Sequence, residues 1–225
     1  MRAGHIRTAV PLLATTALIS WAAGTGTATA QQTSAAAAGP TSGLTEYSDA
    51  YSVQRPYDLP QSDRFSMTSG PTYNARILKG DKPFKKDSDT GPRTEMRWHA
   101  TWSGTEHQWS ADVKIDSSTE GACIMQVKGS TGGEAIYVNV HGNGNLYNSV
   151  NNTPIATGMW GKWFHMNADF DPATGTVRLW IDSKLVLTTH YSAPTSKIWY
   201  FKNGVYNTTG PEAEAHFKNI TFWEK

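Results

Sequence analysis

"RTEMRWHATW", residues 93–102, alternates without a break. Thr94, Met96, Trp98, Ala100 and Trp102 fall on one parity, and Arg93, Glu95, Arg97 and His99 on the other. A period of two puts these sets on opposite faces of an extended strand, one apolar and one polar. "AIYVNVH" at 135–141 repeats the pattern, with Ile136, Val138 and Val140 set against Tyr137, Asn139 and His141. Outward from these two, strands are readable over 72–80 and near 107–115, 122–128, 163–170, 176–182, 184–191, 197–203 and 213–223. The stretches "STGG", "HGNGN", "DPATG" and "DSK" supply turns between them, and "DKPFKKDSDTGP" at 81–92 reads as a loop. No segment sustains a helical period. Many short strands at regular spacing predict an all-β fold, an antiparallel sandwich or jelly roll.

The start of the chain reads differently. Arg2 and Arg7 precede an apolar run from Ala9 to Ala23, and small residues follow to Ala30. That is the layout of a secretory signal peptide over residues 1–30, and it predicts a secreted, extracellular protein. The run is short for a bilayer span and is interrupted by Thr15, Thr16 and Ser20. "QQTSAAAAGPTSG" at 31–43 is a low-complexity leader, which leaves residues 44–225 as one domain. Cleavage would remove two arginines and no acid, leaving 18 basic against 19 acidic side chains. A near-neutral surface carries no footprint for nucleic acid or an anionic membrane, and the protein is read as a monomer. The single cysteine, Cys123, lies in the apolar run "ACIMQV", so it reads as buried packing, and no disulfide staples the chain. No Cys/His spacing matches a zinc site, and no cofactor or metal is expected. Sequons stand at Asn151, Asn207 and Asn219, and a glycan on Asn207 would crowd the cleft proposed below.

The polar strand faces carry Arg, His, Tyr, Asn, Gln and Lys rather than the usual Thr, Ser and Glu. With nine tryptophans and nine tyrosines, such faces suit sugars, which present apolar ring faces and hydroxyl rims. Trp98, Trp102, Trp180 and Trp223 read as packing.

Three segments line up on this frame: "RTEMR" at 93–97, "MQVK" at 125–128 and "YFKNGVYN" at 200–207. Together they resemble the jelly-roll polysaccharide lyases: the alginate lyases of polysaccharide lyase family seven, the glucuronan lyases and the heparin lyase I group. Those enzymes share an Arg-Ser/Thr-Glu-x-Arg strand, a Gln-Ile/Val-His strand and a late Tyr-Phe-Lys-x-Gly-x-Tyr segment. The resemblance runs over residues 72–223 and departs in one place, where Lys128 stands in the position of the motif histidine.

The resemblance implies β-elimination on an anionic polysaccharide, a 1,4-linked uronate polymer lying in a concave groove. The C5 proton becomes removable only when the neighbouring carboxylate is masked, because the intermediate otherwise gathers a second negative charge. Arg93 and Gln126 would mask it, an arginine fork and an amide donor. Tyr206 would take the proton and return one to the leaving oxygen, which one group can do when both lie on the same side of the sugar. Glucuronate and mannuronate have that relationship; guluronate does not. Lys128 and Lys202 would add positive potential beside the phenol. Tyr200, Arg97, Tyr137, Asn139, His141 and His99 are candidate substrate contacts, and either histidine could stand in for the missing one. Glu95 is a substrate contact or an ion-pair partner that orients Arg93. Gly204 would let the strand bend so that Tyr206 reaches the groove. Two rival readings share the fold: a non-catalytic sugar-binding sandwich, and a glycoside hydrolase, which needs two facing carboxylates.

Overall fold

The computed structural model describes residues 39–225. The signal peptide expected at 1–30 lies outside that range, as does the leader up to residue 38. Residues 39–43 close in turns, with Ser42 N–H donating to the Gly39 carbonyl and Leu44 N–H to that of Thr41.

The strands are β1 (Thr45–Tyr47), β2 (Tyr51–Gln54), β3 (Phe65–Thr68), β4 (Thr72–Leu78), β5 (Arg93–Trp98), β6 (His107–Ile115), β7 (Ala122–Gly129), β8 (Glu134–His141), β9 (Asn145–Asn148), β10 (Thr153–Ala156), β11 (Trp163–Asp171), β12 (Thr176–Ile181), β13 (Lys184–His190), β14 (Trp199–Tyr206) and β15 (Glu212–Glu224). They form two antiparallel sheets. An eight-stranded sheet runs β13-β12-β11-β6-β15-β4-β3, with β1 also paired to β15, and a seven-stranded sheet runs β10-β9-β8-β7-β14-β5-β2. Consecutive strands switch sheets repeatedly, the winding of a jelly roll. No helix among the described residues is long and apolar enough to cross a membrane.

The alternation read in the sequence becomes the division between core and surface. Thr94, Met96 and Trp98 of β5 and Ile136, Val138 and Val140 of β8 are buried toward the other sheet. Trp109, Val113 and Ile115 of β6, Phe170 of β11 and Phe217 of β15 answer them from the eight-stranded sheet. Burying each such side chain stabilises the sandwich by about 1.5–3 kcal/mol. Aromatic rings close the interface: Trp102 lies 4.4 Å from Phe201, and Phe170 meets Trp199 edge-on at 4.8 Å between centroids. Trp98 and Trp102 are core residues, as expected. Trp180 is buried outside the inter-sheet core, and Trp223 is half-buried. β12 and β13 are joined at Asp182 and Ser183, whose φ values of 49° and 64° fit the type I′ turn that matches strand twist.

The sequence left residues 44–71 without strands, yet β1, β2 and β3 lie there. β1 and β3 are mostly exposed and β2 is half-buried, and at three or four residues each they are too short for the alternation in "YSVQ" and "FSMT" to mark a strand. They border the sheets: β2 pairs only with β5, and β3 only with β4.

Candidate active site

β14 runs through the seven-stranded sheet between β5 and β7, and this places the three motif segments side by side. Tyr206 is opposite Arg93 on one flank and Cys123 on the other. Lys202 is opposite Arg97 and Gln126, and Tyr200 is opposite Lys128. Tyr137 on β8 is opposite Gln126. Because Thr94, Met96, Val127, Ile136 and Phe201 are buried on the core side, these polar residues share the outer face.

β14 carries one extra residue against β7 between Asn203 and Tyr206, a bulge. Gly204 within it has φ of 146°, and a Cβ there would lie 2.2 Å from the Thr94 carbonyl oxygen. Only glycine fits, so the bend expected before Tyr206 is present.

Glu95 is the hub of the cluster. It is 1% exposed, accepts a 2.5 Å hydrogen bond from Gln126 Nε2 and is ion-paired with Lys202 Nζ. Arg93 approaches the same carboxylate less closely, its Nη1 3.5 Å from Oε2. The Arg93 guanidinium lies over the Tyr206 ring at 4.1 Å from the centroid, and its Nε is buried with no partner among the described residues. Tyr137 meets Tyr206 edge-on at 6.3 Å. Arg97 covers the Tyr200 ring at 4.4 Å and donates to the Trp98 carbonyl. Gln126, Lys202 and, less closely, Arg93 therefore meet around one buried carboxylate, and Tyr206 joins them through the Arg93 guanidinium over its ring.

The two lysines act differently from the sequence expectation. Lys202 is bound to Glu95 and Lys128 to Glu134, so each cation is largely answered inside the protein. Arg93 is the cation in contact with the phenol of Tyr206. Burial pulls the Lys202 ammonium below the usual lysine range, and Glu95 opposes that shift. Burial, then the neighbouring Cys123 and Tyr206, pushes the Tyr137 phenol far up, and burial raises Tyr200 against the pull of Lys128 and Arg97. Both phenols stay protonated, which suits hydrogen-bond donors rather than bases. Cys123 is buried and free, its thiol raised by burial and then by Glu95, as a packing residue should be.

Neither histidine stands beside Gln126. His99 lies past the end of β5, exposed, with Nε2 2.7 Å from Ser52 Oγ. His141 ends β8 and packs edge-on against Tyr147 at 4.9 Å. Asn139 pairs with Cys123 and is half-buried, with its Oδ1 unpartnered. Among the described residues, the carboxylates near the cluster do not form the facing pair of a hydrolase. Asp112 is on β6 in the other sheet, bonded to His165 and Asn219, and Asp116 follows that same strand. Glu95 and Glu134 are each held by a lysine. Asp116, Glu214 and His216, also at the eight-stranded sheet, have metal-ligand spacing, but Lys114 and Arg76 already answer their charges.

A cavity of about 300 Å³ opens beside Arg93, Lys128, Tyr200 and Lys202 and is roofed by the 79–92 loop through Phe84 and Lys85. A larger one, about 490 Å³, lies away from the cluster among Tyr47, Tyr51, Tyr73 and Trp98. Glu46 and Asp49 line it, so it suits an anionic chain poorly. Sequence reasoning missed the loop residues and the partners of the two lysines. Glu134 is six positions after Lys128, across a tight hairpin, and that spacing was the available signal.

The family profile described as alginate lyase matches residues 51–223. The chain belongs to the alginate lyase family. It is a polysaccharide lyase with the jelly-roll fold of that family. The citrate-binding protein of Hevea brasiliensis is 32% identical over 195 residues, covering 83% of this chain and 80% of that protein. An alginate lyase of polysaccharide lyase family 7 shares the fold with a TM-score of 0.63 at 17% identity, over 78% of this chain and 94% of its own. The family 7 alginate lyase A1-II′, in complex with a GGMG substrate, gives 0.62 at 14% identity, over 78% of this lyase and 92% of that chain. The marine family 7 alginate lyase from Zobellia galactanivorans gives 0.58 at 16% identity, over 83% and 100%.

Proposed function

We propose that this secreted lyase cleaves 1,4-linked glucuronate or mannuronate polymers by β-elimination, with Tyr206 as both base and acid. The observation that carries this reading is the placement of Arg93, Gln126 and Tyr206 on one face of three adjacent strands, Gln126 held by Glu95 and Arg93 lying over Tyr206, with Lys128 rather than a histidine following Gln126 on β7. The uronate carboxylate enters between Arg93 and Gln126. The half-buried guanidinium of Arg93 and the second amide hydrogen of Gln126 are the donors it meets. Their hydrogen bonds strengthen as charge moves from C5 onto the carboxylate, so they favour the transition state over the bound substrate. Tyr206 oxygen removes the C5 proton, the C4–O4 bond breaks, and the phenol returns a proton to O4. Proton removal and return from one side require the syn substrates. Guluronate needs a second group on the other face, and neither His99 nor His141 is placed to serve.

A second reading has its own support. Lys128 in the histidine position, a cluster of cations and a relative named for citrate binding fit a site that holds a small polycarboxylate without cleaving it.

Incubating the mature protein with glucuronan, polymannuronate, polyguluronate, heparin and hyaluronan separates these readings. Ultraviolet absorbance of an unsaturated uronate, strongest with the first two polymers, is the expected result. Tyr206→Phe should lower turnover by at least about 100-fold while substrate binding persists. Near-normal turnover in that variant removes Tyr206 from its role. Citrate binding with no unsaturated product from any polymer favours the second reading.

A further inference from the structure

The cavity beside the catalytic cluster holds an observation that the elimination chemistry does not use. Of the cations that line it, Lys202 is paired with Glu95, Lys128 with Glu134, and Arg93 lies near Glu95. Lys85 has no ion-pair partner among the described residues. It sits on the 79–92 loop, and that loop is clamped rather than free. Pro83 and Pro92 are bridged to each other, Tyr57 N–H donates to the Pro83 carbonyl at 3.1 Å, and Asn207 N–H donates to that of Pro92 at 2.9 Å. At Gly91 a Cβ would collide with Asn207 Oδ1 at 1.6 Å, so glycine lets the loop seat against the residue after Tyr206. Within the loop, Ser88 N–H closes a turn onto the Lys85 carbonyl at 3.1 Å, and the Ser88 and Thr90 hydroxyls are 2.8 Å apart at the cavity wall. The cavity is offset from the reacting phenol. Tyr200 lines it and Tyr206 does not. A sugar held there is a neighbour of the one being cleaved.

We infer that Lys85 binds the carboxylate of that neighbouring uronate, so the enzyme selects runs of consecutive uronates over chains in which uronates alternate with neutral sugars. This inference rests on the polyuronate reading above. Cations already paired with Glu95 and Glu134 have little field left for a second carboxylate, whereas Lys85, which shares its loop with Asp87 and Asp89 but is ion-paired with neither, keeps its own. The neighbouring hydroxyls of Ser88 and Thr90 supply contacts to the sugar rim. Phe84 offers it an apolar wall.

The test measures binding in a Tyr206→Phe background, so that turnover plays no part. A uronate oligosaccharide is titrated into that variant with and without Lys85→Ala, then again after its carboxyl groups are partly reduced to alcohols. Lys85→Ala should weaken binding of the native oligosaccharide about tenfold, the loss expected for one charge-assisted contact. It should weaken the reduced one by less than about twofold, and Lys85→Arg should restore affinity for the native one. Equal affinity with and without Lys85→Ala overturns the inference, and so does an equal loss on native and reduced oligosaccharides. Failure of the wild-type protein to release unsaturated product would instead defeat the lyase reading, and the binding comparison still judges Lys85.

Discussion

Glu95 and Lys202 allow a quantitative test of what holds the site together. They are 1% and 3% exposed, they are ion-paired, and Gln126 donates to the same carboxylate. Removing one partner of a buried pair leaves the other charge without water or counterion, which costs about 3–5 kcal/mol. Glu95→Gln and Lys202→Met should each lose roughly that much, or about 6–20 °C in Tm at a few degrees per kcal/mol for a domain of this size. The double variant leaves no orphaned charge, so its loss should fall below the sum of the two by at least about 2 kcal/mol. Urea melts of the four proteins measure this directly. Their pH dependence adds a second check. Burial already holds the Lys202 ammonium below its ordinary value of 10.5, and Glu95 opposes this. In Glu95→Gln the opposition is gone, so the folded protein binds fewer protons than the unfolded chain over a wider window below 10.5. The deficit of that variant should therefore shrink as pH rises toward that value. Additive losses within about 0.5 kcal/mol, or a deficit that ignores pH, would refute the pairing argument.

Further outcomes follow from single residues. Gly204→Ala forces a side chain at φ of 146° against Thr94 and Glu95, so it should destabilise the fold by about 1–3 kcal/mol or more and lower turnover with it. A variant as stable and active as wild type would show that the bulge is not required. His107, held down to about 4 by burial, binds its proton less readily when folded than its ordinary value of 6.5 allows. Its contribution is complete above 6.5 and is lost as pH falls toward 4, so the stability of His107→Gln relative to wild type should rise across that interval. A constant difference between the two in thermal melts from pH 7 to 4 would contradict the burial argument. Expression in a host that glycosylates exported proteins should leave Asn207 unmodified by mass spectrometry, because its side chain is seated against Gly91.

The parts of this molecule that could be read from sequence are those where one face of a strand is buried. β5 and β8 alternate cleanly because Met96 and Trp98, or Ile136 and Val138, enter the core while their neighbours do not. The same parity rule brought Arg93, Gln126 and Tyr206 to one face, given that β14 lies between β5 and β7. The short strands β9 and β10, "NLYN" and "TPIA", were hidden among turn residues, and β1 to β3, at three or four residues each, were too short for a pattern to stand out. The charge state of the cluster was also out of reach. Lys202 looks like a free cation until Glu95, 107 positions away in sequence, is found beside it. Lys85 had no signal at all, since a loop without periodicity does not say which way it folds back.

The pairing of β1 with β15 sets Thr45 against Glu224 in the eight-stranded sheet, while Arg93, Gln126 and Tyr206 occupy the opposite layer. The first and last strands of the described domain are thus adjacent in space. A brief tether could splice them, and the polypeptide could be reopened at the tight Asp182–Ser183 hairpin. Such a rewired version should retain its groove, and an appended module would emerge on the side remote from incoming polymer.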